Sequence, residues 1–81
     1  RNLVGNFTNF IKQITMKNRI KIERAIHDLT QQQLADAVGT SRQTINAIEK
    51  AKYIPSTLLA LKIAHTFGRT VDEVFELEEN E

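Results

Sequence analysis

The twenty residues Gln31 to Lys50, QQQLADAVGTSRQTINAIEK, constrain this chain more than any other part of it. Leu34, Val38, Ile45 and Ile48 recur at helical spacing on either side of one glycine, so they read as the inward faces of two short helices. Ala35 falls where the second helix must cross the first closely, and a larger side chain there would push them apart. Gly39 supplies the left-handed backbone favoured at a helix exit. The next helix opens almost at once, at Thr40 or Ser41. A connection this short forces the two helices to meet at a sharp angle.

The rest of the chain reads as helical too, with no internal repeat and no low-complexity stretch. A first helix is expected from about Arg19 to Asp28, with Asn18 as its cap. Thr30 and Gln33 form a capping-box pattern ahead of the second helix. The third helix runs to about Lys50, and a loop follows to Pro55. Ser56 caps a fourth helix from Thr57 to Phe67, which Gly68 stops. Thr70 and Glu73 repeat the capping box for a short fifth helix, Val71 to Phe75. The expected fold class is therefore all-α with five helices, ending in a short strand-like tail around Leu77.

Residues 1–15 are ambiguous. Leu3, Val4, Phe7, Phe10, Ile11 and Ile14 recur at helical spacing, which suits an extra amphipathic helix. Met16 followed by Lys17 also reads as a natural start, which makes 1–15 an extension. Three segments result: 1–15, a body over 16–75, and an acidic tail over 76–81.

Several classes of function are disfavoured. Eighty-one residues allow one small domain. The absence of cysteine excludes disulfides and thiolate metal sites and fits a reducing cytoplasm. No apolar run approaches the roughly 18 residues that span a bilayer, so no membrane partner is expected. His27 and His65 lie on different helices without metal-ligand spacing; His27 reads as a favourable charge at a helix C-terminus. No glycine-rich phosphate loop or paired-carboxylate site stands out. Neither an enzyme, a cofactor nor a metal is expected.

Charge is unevenly spread. Residues 1–69 hold all eleven Lys and Arg against four acids, a net of +7, whereas 70–81 hold six acids and no base. A basic body with an acidic tail suits an anionic partner on one face.

The segment Gln31–Lys50 resembles the helix-turn-helix of the lambda-repressor-like (Cro/Xre) family of transcriptional regulators, and the likeness extends over about 17–75. It implies a compact homodimeric repressor that binds double-stranded DNA at a palindromic operator, with the third helix in the major groove. Carried onto matching positions, the base-reading residues are Arg42, Gln43, Thr44, Asn46 and Ala47. Arg42 suits a bidentate contact to guanine and Gln43 one to adenine; a plain phosphate contact is the alternative for Arg42. Gln31, Ser41, Lys50, Lys52 and Tyr53 are the expected backbone contacts, Gln31 also supporting the third helix, with simple solvation the alternative for the two lysines. The resemblance also implies a structural ion pair between Arg24 and Glu49.

Departures from the family pattern are informative. Ala51 stands where many relatives carry glycine after the third helix. Glu23 occupies a position that is frequently leucine. Ile22, Ile26 and Leu58 lie where exposure is expected, and Ile22 with Ile26 could receive the apolar stripe of residues 3–14. Leu77, between Glu76 and Glu78, has an alternation suited to pairing across a two-fold axis. A protein partner is the other reading: an antitoxin or adaptor whose helix-turn-helix contacts protein through those exposed apolar residues.

Overall fold

The computed structural model describes residues 14–79. Strand β1 (Ile14–Asn18) leads into α1 (Ile20–His27), α2 (Gln31–Val38), α3 (Arg42–Glu49), α4 (Thr57–Thr66) and α5 (Val71–Val74), and strand β2 (Phe75–Glu79) follows directly. Among the described residues no helix is long and apolar enough to cross a membrane.

The helix ends arise from local chemistry. Thr30 Oγ1 accepts from the Gln33 N–H at 3.0 Å while the Thr30 N–H donates to Gln33 Oε1 at 2.9 Å, so two otherwise orphaned donors at the start of α2 are satisfied. Ser41 and Ser56 cap α3 and α4 through bonds of 3.1 Å from the Thr44 and Leu59 amides. At α5 the Thr70 N–H donates to Glu73 Oε1 at 2.8 Å. That bond chiefly holds the Glu73 carboxyl below its ordinary pKa. Its support for α5 is thus fully present above the usual carboxylate range and is lost as pH falls through the lowered value. Gly39 ends α2 with φ 76, and the Thr40 N–H closes on the Ala35 carbonyl at 2.9 Å.

One core gathers all five helices. Ile20, Leu34, Ala35, Val38, Ile45 and Ile48 come from α1 to α3, Ile63 and Ala64 from α4, Phe67 from its C-cap, Val74 from α5 and Phe75 from β2. The inward positions of Gln31–Lys50, namely Leu34, Ala35, Val38, Ile45 and Ile48, are all in this set, so the α2–α3 angle is fixed by packing and not by the turn alone.

The expectation of an all-α chain is corrected: the protein is mostly helical with an antiparallel two-stranded ribbon, β1 against β2, in the register Met16↔Leu77 and Asn18↔Phe75. The alternation around Leu77 is that of a strand, but its partner is β1 of the same chain and not a copy across a two-fold axis. A lone two-stranded ribbon is marginal in water. Here Phe75 is buried and Met16 packs against the core, so the helices supply the apolar support. Beside the ribbon, the Arg19 N–H at the cap of α1 donates to the carbonyl of Val74 at the end of α5 at 2.8 Å, joining the two helix ends. The division placed between residues 15 and 16 falls inside β1, and that between 75 and 76 inside β2. Of the apolar stripe expected over residues 3–14, Ile14 is in strand β1 and not in a helix, and the remainder, with any docking of it on Ile22 and Ile26, lies outside the described residues.

Glu23 was read only as a departure from leucine, and its setting is unusual. Its side chain is 1% exposed, with Oε2 3.2 Å from Arg69 Nε and Oε1 3.9 Å from His27 Nδ1. Oε1 is buried without a hydrogen-bond partner among the described residues. His27 Nδ1 instead lies 3.0 Å from the Glu23 carbonyl oxygen, and its ring is tilted against Phe67 at 5.4 Å. Removing one partner of a buried pair strands the other, while replacing both by apolar groups is often neutral. Arg69→Met should therefore cost about 3 kcal/mol of unfolding free energy, and the double variant Glu23→Leu/Arg69→Met should recover most of it. Urea unfolding of the single and double variants checks this; equal losses in both would exclude the pair as the cause.

Candidate nucleic-acid interface

α3 begins with its donors turned outward. Its apolar residues Ile45 and Ile48 face the core, so the intervening positions must face solvent or the neighbouring helix. Arg42 and Gln43 are exposed, and Thr44, Asn46 and Ala47 are partly so. The Thr44 hydroxyl lies 2.9 Å from Ser41 Oγ, which leaves Arg42 and Gln43 as the freest polar groups of the first turn. Both residues suit bidentate recognition of a purine edge in a major groove.

The angle of this helix is held from below by a three-sided clamp. Arg24 Nε donates to Glu49 Oε2 at 2.6 Å and Nη2 to Oε1 at 3.1 Å, a forked pair with only 16% and 8% of the two side chains exposed. Arg24 Nη1 donates to the Leu29 carbonyl at 3.0 Å, tying the α1–α2 turn to the same point. Gln31 then donates from Nε2 to Asn46 Oδ1 at 3.1 Å and to Glu49 Oε1 at 3.2 Å. Its amide hydrogens are thus spent on α3, and support of that helix is the role the geometry gives it. Asn46 keeps its own amide hydrogens for other use.

Asn18 completes the arrangement from the ribbon. Its Nδ2 donates to the Ile48 carbonyl at 2.8 Å, and its Oδ1 accepts from the Ile20 N–H at 3.2 Å. The cap expected at Asn18 is corrected: α1 starts one residue later, with Arg19 at the cap position and no side-chain cap bond, while Asn18 holds the Ile20 N–H from one residue further out and also closes the C-terminal end of α3.

Between α1 and α3 lies an open cleft of about 470 Å³. Lys21 and Lys50 line it, together with Gln31, Asn46 and the Arg24–Glu49 pair. The sequence reading missed Lys21. Its spacing of three from Arg24 places both on one face of α1, a signal that was available. Ser41 lies at the N-terminus of α3 and Lys52 and Tyr53 follow its end, all three exposed. The cleft therefore presents the Lys21 and Lys50 cations beside the amides of Asn18, Gln31 and Asn46.

The loop after α3 is strained. The Ala51 N–H donates to the Ile48 carbonyl and the Lys52 N–H to that of Ala47, both at 2.9 Å, a pattern that requires left-handed backbone between them. Ala51 meets that requirement with φ 58.

The helix-turn-helix family matches residues 20–74. An HTH-type transcriptional regulator of Methanocaldococcus jannaschii, itself named uncharacterized, is 54% identical over 66 residues, covering 82% of this chain and 100% of that one. YgzD of Bacillus subtilis, named in the same way, is 50% identical over 64 residues, covering 79% and 97%. Among solved structures, a candidate DNA-binding protein from Bacteroides fragilis superposes with a TM-score of 0.69 at 29% identity, covering 76% of this chain and 100% of that one. The clp gene regulator ClgR of Corynebacterium glutamicum gives a TM-score of 0.63 at 24% identity over 67% of this chain; the chain spans 57% of ClgR, and that likeness is one of fold.

Two substitutions separate support from surface. Arg24→Ala strands a carboxylate that is 8% exposed and should cost about 3 kcal/mol of stability, whereas Arg42→Ala, on the open surface, should cost less than about 0.5 kcal/mol. Ala51→Gly should stabilise the fold by up to about 1 kcal/mol, strain relief exceeding the added chain entropy. Urea unfolding followed by helical circular dichroism reads all three.

Proposed function

The chain belongs to the Cro/Xre-type helix-turn-helix family of transcriptional regulators, and we propose that it is a sequence-specific repressor that binds a palindromic DNA operator as a homodimer, α3 lying in the major groove. The observation that carries this reading is the pairing of an exposed Arg42–Gln43 edge with a helix whose angle is locked by Arg24, Gln31 and Glu49. Base recognition needs donors held in register with a groove, and a clamp of this kind removes the rocking motion that would blur the register.

Roles divide by chemistry. Arg42, Gln43, Thr44, Asn46 and Ala47 read base edges; Ser41, Lys50, Lys52 and Tyr53, joined by Lys21, hold the phosphates. Gln31 serves the backbone indirectly, by fixing α3 and lining the cleft wall. A homodimer sets two such helices about 34–36 Å apart, one DNA turn, which is why the operator is palindromic. Repression then requires only occupancy of the site.

A protein-binding role, as in an antitoxin or adaptor, is the second reading, favoured by Ile22, Ile26 and Leu58, which are 49%, 60% and 62% exposed. The two readings differ in salt response. Selection from random duplex DNA should yield a two-fold-symmetric consensus, bound at salt concentrations that release random duplex. Arg42→Ala should lose about 1–3 kcal/mol of discrimination at one base pair per half-site. Lys52→Ala should weaken all duplexes alike and reduce the salt slope by about 1. Equal affinity for selected and random duplex across the titration would sink the proposal.

A further inference from the structure

Asn46 lies four residues after Arg42 and three after Gln43, so the three side chains share one strip of α3. Among the described residues no hydrogen bond holds the side chain of Arg42 or Gln43, whereas one end of the Asn46 amide is held. Which end is held follows from the charges behind it.

The constraint begins at Arg24, whose guanidinium carries donors and no acceptor. Its Nε and Nη2 meet Glu49 at 2.6 and 3.1 Å, so both carboxylate oxygens accept. Glu49 Oε1 also lies 3.2 Å from one end of the Gln31 amide, and an accepting oxygen calls for a donor there. That end of Gln31 is therefore its NH2 group. The same NH2 lies 3.1 Å from the Asn46 amide, which must answer with its oxygen, Oδ1. Both Gln31 hydrogens are then spent, and turning the Asn46 amide over would set one NH2 group against another. Donor and acceptor thus alternate in one direction, from Arg24 through Glu49 and Gln31 to Asn46. Asn46 Nδ2 is left with both hydrogens and, among the described residues, no partner, on a side chain that lines the open α1–α3 cleft.

An asparagine free to turn presents oxygen and nitrogen together, which suits the N7 and N6 edge of adenine. Asn46 does not, because its oxygen is taken. Its outward hydrogens require an acceptor. In the major groove guanine offers O6 and N7 and thymine offers O4, whereas cytosine offers only its N4 amino group and adenine sets an amino group beside N7. The dividing line is a keto base against an amino base.

We propose that Asn46 is a specificity-determining residue that selects a keto base, guanine or thymine, at one position of each half-site, and that Gln31 is the positioning residue that presets this choice. The proposal rests on the DNA-operator reading above and names the chemistry of one of its contacts. A wrong base is rejected because it leaves the Asn46 donor facing another donor after water has been displaced. The relay also separates Gln31 from the phosphates. With both amide hydrogens on α3, only its carbonyl oxygen remains, and that oxygen has nothing to donate to a phosphate.

Selection from random duplex DNA with the wild-type chain and three variants tests this. The wild-type consensus should carry guanine or thymine at one position per half-site, preferred at least about fivefold over adenine and cytosine. Asn46→Ala should erase that preference and leave the other positions as they were. Asn46→Asp keeps an oxygen for Gln31 and turns a second oxygen outward, so the same position should pass to an amino base, cytosine above all. Gln31→Ala frees the Asn46 amide and should admit adenine there, with the dependence of affinity on salt unchanged. A merely structural Gln31 would instead weaken every duplex without altering the base choice. The proposal is overturned by adenine or cytosine at the Asn46-dependent position of the wild-type consensus, by the lack of any such position, or by a keto preference that persists in Gln31→Ala. A salt slope reduced by about 1 in Gln31→Ala would overturn it too, by making Gln31 a phosphate contact. In each of these cases a two-fold consensus survives and the operator reading stands. A wild-type chain that selects no consensus would overturn both.

Discussion

The Arg24 guanidinium is the junction on which the interface depends. It spends one edge on Glu49 at the end of α3 and another nitrogen on the Leu29 carbonyl in the α1–α2 turn. Gln31 adds a second link from α2 to the same carboxylate. Three helices of eight residues each, too short to be stable alone, are thus cross-braced at one buried point. Burying a charge is costly, and here every strong donor and acceptor of the pair has a partner, so the cost is offset and the geometry is single-valued. A helix proposed to read bases needs positional precision more than it needs extra stability.

A second brace runs through the preceding residue. Glu23 is buried against Arg69, while Arg24 pairs with Glu49, so adjacent side chains of α1 tie it to the α4–α5 connection and to the end of α3. The two braces differ in quality. Glu49 is fully satisfied, whereas one oxygen of Glu23 is buried without a partner, and Arg69 is 43% exposed. By the physics of buried pairs the Arg24 brace positions the helix, and the Glu23 brace is the weaker bargain.

Much of this was legible in the residues because it is local. The caps at Thr30, Ser41 and Ser56 each involve groups three residues apart, so their chemistry is written in short motifs. The inward set of Leu34, Ala35, Val38, Ile45 and Ile48 follows from helical period alone. Other features were visible only as anomalies. Glu23 was recognisably out of place, but its partner Arg69 lies far along the chain and no spacing rule connects them. Leu77 showed strand alternation, yet alternation does not say which segment completes the ladder. Lys21 shares a helix face with Arg24, but spacing alone does not separate it from a solvated cation, and the cleft shared with Asn46 and Lys50 does.

The sequence by itself determined the sharp bend of Gln31–Lys50, its buried and outward faces, and the caps at Thr30, Ser41 and Ser56 that open α2, α3 and α4. These are consequences of period, side-chain size and hydrogen bonds within one turn. Tertiary structure decided that the chain is not purely helical. It also decided that Gln31 spends both amide hydrogens on Asn46 and Glu49 of α3, and that Met16 and Leu77 share one apolar face. Each of those depends on groups brought together from distant parts of the chain, whose pairing is selected by burial in a common core and leaves no periodic trace in the residues themselves.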